Sequence, residues 1–131
     1  MNPRLALSVH PEPLSVVRLR AGDDLPSWAF GGPGIAAAVR RRDELGVVCA
    51  TARVPADVRR EDGWTGLEVA GPLDFALTGI LLAVAAPLAE AGVSIYALST
   101  YDTDVVLVRT GALESAIAAL EAAGHTVSRV S

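Results

Sequence analysis

The feature that most constrains the fold is an internal repeat in the second half of the chain. Residues 88–99 read LAEAGVSIYALS and residues 120–131 read LEAAGHTVSRVS, so that Leu88 aligns with Leu120 and Gly92 with Gly124. Each copy has the pattern of a helix end, a glycine that can adopt the left-handed conformation after a helix, and a strand. The fold must therefore accommodate two similar helix–strand units.

A further strand precedes the helix of each copy, at 67–70 (LEVA) and at 105–109 (VVLVR). With the strands that follow Gly92 (93–98) and Gly124, the chain from about Trp64 onwards has the order βαββαβ. This is the split βαβ arrangement called ferredoxin-like. We predict an α+β fold in which two helices cover one face of a four-stranded antiparallel sheet.

The two predicted helices differ in character. Apolar residues recur at helical spacing from Leu113 to Leu120, which predicts an amphipathic helix that Thr110 would cap. The earlier helix, from about 77 to 91, is apolar on nearly all sides and contains Pro87, which can kink a helix. We expect it to be buried.

The first half of the chain has strand patterns and little room for helices. Four strands are predicted, with Pro, Gly and Asp residues between them: Leu5–Val9, Ser15–Leu19, Ile35–Arg40 and Leu45–Thr51. Only 40–44 and 55–62 have the pattern of short helical turns. We therefore expect two domains, a strand-rich module over 1–62 and the βαββαβ module over 63–131.

Composition excludes several classes of protein. The 131 residues are 51% apolar with a net charge of -4, which is unlike a disordered chain or a nucleic-acid-binding protein. A lone cysteine, Cys49, in an apolar strand predicts a core residue without a disulfide, and His10 and His125 lack metal-ligand spacing. The longest apolar stretch, 75–89, is too short to span a membrane, and the N-terminus lacks a secretory pattern. We expect a cytoplasmic protein without metal, cofactor, nucleic-acid or membrane partners.

The two copies differ in one loop, which points to a site. The connection from the first strand to its helix, GPLDFALTG (71–79), is about six residues longer than its counterpart. Extra length at such a junction commonly carries function. The first two strands of the module should be parallel, so this loop and the hairpin STYDTD (99–104) should lie at the same edge of the sheet.

The chemistry of these two segments is complementary. A helix start near 77–80 offers unpaired N–H groups to a carboxylate, while Asp102 and Asp104 offer acceptors to a cation. A small molecule that carries both charges is a free amino acid.

The stretch GPLDFALTGILLAVAAPLAEAGVSIYALSTYDTDVVLV resembles the core of an ACT domain. It is most similar to stand-alone tandem ACT proteins, which themselves resemble the regulatory part of aspartate kinase and the cytosolic arginine sensor of animals. The resemblance is strong over 64–131, and residues 1–63 resemble a degenerate ACT-like module. It implies a regulatory ligand-binding protein without catalytic activity, with Thr78, Gly79 and Ile80 at the ligand carboxylate and Thr100, Tyr101, Asp102, Thr103 and Asp104 at its amine and side-chain end. Asp74 would also contribute, although the Asp-x-Pro-Gly motif of many ACT domains is replaced here by a segment without proline.

Other interpretations of the same residues stay open. Asp102 and Asp104 could simply hold a hairpin through Asx turns, or they could act as acid and base in a small enzyme that acts on a polar metabolite. The module could also serve only for dimerisation, through its exposed sheet edge. The expected partners are a small-molecule ligand, with an amino acid favoured, and a second copy or a protein regulated by that ligand.

Overall fold

The computed structural model describes residues 3–73 and 79–129. It divides into two compact units, one formed by Met1–Pro11 with Thr65–Ser131 and the other by Glu12–Trp64. The strands are β1 (Ala6–Val9), β2 (Leu14–Leu19), β3 (Ala37–Arg40), β4 (Leu45–Ala50), β5 (Arg60–Val69), β6 (Ile95–Ser99), β7 (Asp104–Arg109) and β8 (Thr126–Arg129), and the helices are α1 (Ile80–Glu90) and α2 (Leu113–Ala122). Short 3₁₀ turns occupy Ser27–Phe30, Thr51–Arg53 and Thr110–Ala112.

The first unit has the predicted βαββαβ order, with one additional strand from the N-terminus. Its sheet has the order β6-β7-β5-β1-β8, to which β5 contributes its C-terminal half. Strand β1 pairs antiparallel with β5 and parallel with β8. The α+β ferredoxin-like class is confirmed, but the expectation of four antiparallel strands is wrong. Within the described residues the sheet has five strands, because β1 lies between β5 and β8.

Both helices cover one face of this sheet. Alternate residues of three strands, including Leu7, Leu67 and Val106, share one buried cluster with Val84 of α1 and Leu120 of α2. The period of two in the strands and the helical period in α2 therefore place the core as the sequence predicts. Helix α1 departs from the prediction, because it is buried on one side only and Leu82 on its other side is 67% exposed.

The helix ends are partly as predicted. Gly92 and Gly124 follow the helices with φ of 74° and 99°, in the left-handed region. Thr110 does not cap α2, whose N-cap is Ala112, without a side-chain hydrogen bond. The Thr110 hydroxyl instead shares a hydrogen bond of 2.8 Å with the hydroxyl of Thr65 on β5. A partner distant in sequence thus replaces the local cap.

Pro87 lies inside α1 and removes one N–H from the helical ladder. The carbonyl that this N–H would reach, four residues earlier, belongs to Ala83. The Ala83 oxygen instead accepts a hydrogen bond of 2.9 Å from Nε2–H of His125. The other ring nitrogen, Nδ1, accepts a hydrogen bond of 3.0 Å from the N–H of Leu5. His125 is buried, and it holds α1 and the segment before β1 together.

The second unit is a small antiparallel sheet with the order β3-β4-β2-β5, to which β5 contributes its N-terminal half. Its core includes Val17, Leu45, Val47 and Cys49. The sulfur of Cys49 is in the core as predicted, and burial raises the pKa of the thiol. The predicted helical turn at 40–44 is wrong, because these residues form the turn of the β3–β4 hairpin, closed by a hydrogen bond of 2.9 Å from Arg41 N–H to the Glu44 carbonyl.

In the part of the chain that the structure describes, neither helix is long and apolar enough to cross a membrane.

Candidate functional site

The loop after β5 and the turn between β6 and β7 lie against each other. The N–H of Leu73 donates a hydrogen bond of 2.6 Å to the carbonyl of Asp102. A β-carbon added at Gly71 would lie 3.0 Å from that carbonyl oxygen and 3.2 Å from Cβ of Thr103. Two segments separated by some thirty residues of sequence therefore meet, as the topology predicts, and Gly71 is needed for their close approach.

Threonines hold the turn between β6 and β7. The Thr100 hydroxyl donates to the Thr103 carbonyl at 3.1 Å and accepts from the Thr103 N–H at 3.2 Å. The Thr103 hydroxyl donates a hydrogen bond of 2.7 Å to the carbonyl of Val69, the last residue of β5. Both hydroxyls are thus engaged within the protein, and Tyr101 lies between them with 80% of its surface exposed.

The two aspartates of the turn have different surroundings. The Asp104 carboxylate is half-buried and accepts a hydrogen bond of 2.6 Å from the hydroxyl of Ser99 across the β6–β7 pair. The Asp102 side chain is exposed, and its carboxylate makes no hydrogen bond or ion pair among the described residues. The described residues therefore leave both oxygens of the Asp102 carboxylate able to accept hydrogen bonds from a cation.

Helix α1 follows the loop after β5 along the chain. Gly79 is its N-cap, with φ of 79° and no side-chain cap. Ile80 is 8% exposed and packs its side chain into the core, so it can offer only its backbone to a ligand. The first N–H groups of a helix have no partner within the helix and favour an anion. Asp74 and Thr78 lie outside the described residues.

Three residues contribute to this region without having been predicted. Gly71 and Leu73 carry the contact from the loop, and Ser99 fixes the Asp104 carboxylate. The glycine that opens the loop was a detectable signal, since a glycine after a strand commonly allows close backbone approach. The pairing of Ser99 with Asp104 follows from the register of β6 and β7, in which these residues are directly opposite.

A groove of about 250 Å³ lies elsewhere in the first unit, beside α1. It is lined by Leu82, Ala83, Ala86, Pro87, Glu90, Ala123 and His125. Its histidine already uses both ring nitrogens, and the Ala83 carbonyl is paired with one of them. Glu90 is thus the one charged group on its wall, and the groove lacks the paired charges that the loop and turn offer.

A metal centre finds no support in the described residues, which include no group of three or more His, Cys, Asp or Glu side chains able to hold an ion.

Comparisons with known proteins identify a matching family model and a similar solved structure. The family model for the ACT domain matches residues 59–122. The structure of protein Atu0741 from Agobacterium tumefaciens is 38% identical, covers 98% of this chain and 96% of its own, and superposes with a TM-score of 0.92. A search of curated protein sequences gave no match.

Two more distant structures share the fold. The regulatory subunit of aspartate kinase from Thermus thermophilus, in its ligand-free form, is 10% identical over 89% of this chain and 96% of its own, with a TM-score of 0.62. Aspartate kinase from Clostridium acetobutylicum is 11% identical over 94% of this chain and 35% of its own, with a TM-score of 0.69.

Proposed function

Because the chain belongs to the ACT domain family through residues 59–122, we propose that it is a regulatory protein that binds a free amino acid and has no catalytic activity. The observation that carries the proposal is the hydrogen bond from Leu73 to Asp102, which brings the loop after β5 onto the turn between β6 and β7. The regulatory subunit of aspartate kinase that shares this fold supports the class of function.

The proposed site combines two kinds of charge. The start of α1 supplies backbone N–H groups for the carboxylate of the ligand, through Gly79 and Ile80. Asp102 and Asp104 supply acceptors for its ammonium group. Thr100 and Thr103 support these groups indirectly, because their hydroxyls hold the turn in place.

The ligand would alter assembly or the fit to a protein partner. Such an effect is limited by the difference in ligand affinity between the two states. Within the described residues β6 is an edge strand of the first unit, so a second copy is the partner we propose. We further propose that the protein acts in the cytoplasm.

The test is a thermal-shift screen of the wild type against the common amino acids at about 10 mM. A ligand with a dissociation constant of about 100 μM would stabilise the protein by roughly 2.7 kcal/mol, a shift of several degrees. In Asp102→Asn the carboxylate is lost without loss of any hydrogen bond made within the described fold, so the shift should disappear while the melting temperature without ligand stays unchanged. Asp24→Asn, which removes an exposed charge in the other unit, is the matched control.

The remaining outcomes separate the alternatives. If no amino acid shifts the wild type, or if Asp102→Asn responds as the wild type does, the amino-acid site is not at this turn. NMR spectra of a ligand that binds, recorded over hours with the protein present, would reveal a new product if the chain were an enzyme. If no amino acid shifts the melting temperature of either the wild type or Asp102→Asn, a purely structural dimerisation module is favoured.

A further inference from the structure

The loop Gly31–Gly34 of the second unit has a charged side chain lying against each of two glycines. A β-carbon placed on Gly32 would lie 1.7 Å from Nη2 of Arg53, and one placed on Gly34 would lie 1.9 Å from Oε1 of Glu12. Both positions must be glycine for these side chains to lie where they do, and Gly34 also has φ of 104°. One cation and one carboxylate therefore lie beside this loop.

Neither charge is neutralised by the fold. Oε1 of Glu12 is buried and has no hydrogen-bond partner among the described residues. The Arg53 guanidinium makes no hydrogen bond or ion pair in the part of the chain that the structure describes, and the two side chains do not pair with each other. By contrast, Arg60 in the same unit binds the Pro55 carbonyl at 2.8 Å and the Asp62 carboxylate at 3.1 Å.

An unpaired buried carboxylate oxygen is unfavourable for folding. A ligand that supplies the missing partner is one reason for a protein to retain such a group. The two glycines beside which the charged groups lie are two residues apart, so their Cα atoms are separated by at most about 7 Å. One small molecule can therefore reach both groups.

The signs of the charges define the class of ligand. A phosphate would be favoured by Arg53 but repelled by Glu12, and a simple cation would be repelled by Arg53. A molecule with a carboxylate at one end and an ammonium group at the other satisfies both, because guanidinium pairs with carboxylate through two parallel hydrogen bonds and a carboxylate accepts from ammonium.

We propose that Arg53 and Glu12 form a second binding site, in the Glu12–Trp64 unit, for a small zwitterion. This site goes beyond the function proposed above and does not rest on it, because its residues all belong to the other unit.

The experiment measures binding of a series of zwitterions with increasing charge separation: glycine, β-alanine, 4-aminobutyrate, 5-aminovalerate and 6-aminohexanoate. Isothermal titration calorimetry with the wild-type protein should find one preferred length, with at least tenfold weaker binding of butylamine and of butyrate. Glu12→Gln and Arg53→Gln should each weaken the preferred member at least tenfold. The effect of Glu12→Gln should be the same in the wild-type and Asp102→Asn backgrounds, which separates this site from the one proposed above.

Stability without ligand distinguishes a binding role from a structural one. If Oε1 of Glu12 serves a ligand, Glu12→Gln should melt at the same temperature as the wild type or higher, because an unpaired buried charge is removed. A structural role predicts a lower melting temperature. Arg42→Gln, which removes an exposed arginine of the same unit, is the matched control for Arg53→Gln.

Two results would overturn the proposal. One is the absence of binding by every member of the series to the wild type at up to about 10 mM. The other is an unchanged affinity of Glu12→Gln for the preferred zwitterion. If Arg53→Gln does not fold, the result for Glu12→Gln is sufficient to test the proposal.

Discussion

The hydrogen bond from His125 to Ala83 predicts an energetic coupling between His125 and Pro87. In the wild type the Ala83 carbonyl cannot receive the usual N–H from position 87, because proline has none, and His125 supplies the donor at 2.9 Å. In Pro87→Ala the backbone N–H becomes available to the same oxygen. Loss of the imidazole should therefore destabilise the protein less in the Pro87→Ala background than in the wild-type background.

The magnitude follows from the surroundings of the carbonyl. A buried acceptor left without a partner costs about 1–3 kcal/mol. The groove of about 250 Å³ beside Ala83 can admit water to this oxygen, so we take the lower end, about 1 kcal/mol. The cavity left by His125→Ala and the loss of the Leu5 hydrogen bond occur in both backgrounds and cancel in a double-mutant cycle.

Urea unfolding of the wild type, His125→Ala, Pro87→Ala and the double variant measures this coupling. The cost of His125→Ala should fall by about 1 kcal/mol when position 87 is alanine, which corresponds to about 4–8 °C in a small domain. If His125→Ala costs the same in both backgrounds within about 0.3 kcal/mol, the histidine does not replace the missing N–H. Pro87→Ala should also leave the fold intact, as judged by circular dichroism.

Three further predictions concern other parts of the chain. Gly71→Ala places a β-carbon 3.0 Å from the Asp102 carbonyl, so we expect a lower melting temperature and weaker amino-acid binding, with Gly111→Ala, which meets nothing within 4 Å, as the unaffected control. Burial raises the pKa of the Cys49 thiol. The stability gained from the neutral thiol is therefore complete below the ordinary thiol pKa of about 8.5 and is lost as pH rises through the folded value. Free energies of unfolding measured from pH 7 to 10 should fall more in the wild type than in Cys49→Ala, and equal slopes would contradict this. Deletion of residues 1–11 removes β1 from between β5 and β8. We expect the first unit to lose its cooperative thermal unfolding, whereas a retained sharp transition would show that β5 and β8 can pair directly.

Local patterns in the sequence predicted the elements, but not all of their partners. Leu7 and Val9 alternate with polar residues, as in any half-buried strand, and this pattern does not specify which neighbours β1 will have. Pro11 and Pro13 after β1 do indicate a break before β2, but the insertion of β1 beside β8 depends on residues more than a hundred positions away. Fold class was therefore predictable, while strand order and the division into units were not.

The same limit applies to the candidate site. The meeting of the loop with the turn followed from topology, because parallel strands place their ends at one edge. The roles of individual side chains did not follow. Thr110 bonds Thr65 instead of capping α2. The hydroxyls of Thr100 and Thr103 hold the turn, and of its two aspartate carboxylates only that of Asp104 has a partner among the described residues. Hydroxyl groups have several partners of similar energy, and tertiary packing selects among them.

Both proposed sites rely on charges that folding leaves unpaired, and this separates binding from stability. Within the described fold, no hydrogen bond or ion pair is made by Oε1 of Glu12 or by the charged groups of Asp102 and Arg53. A ligand that pairs with these groups therefore adds its full binding free energy to the native state. Thr103 is different, because its hydroxyl already binds the Val69 carbonyl and holds the turn. Substitution of Thr103 should therefore lower stability and binding together, whereas substitution of the unpaired charges should lower binding alone. A variant set chosen on this basis distinguishes residues that contact the ligand from residues that position them.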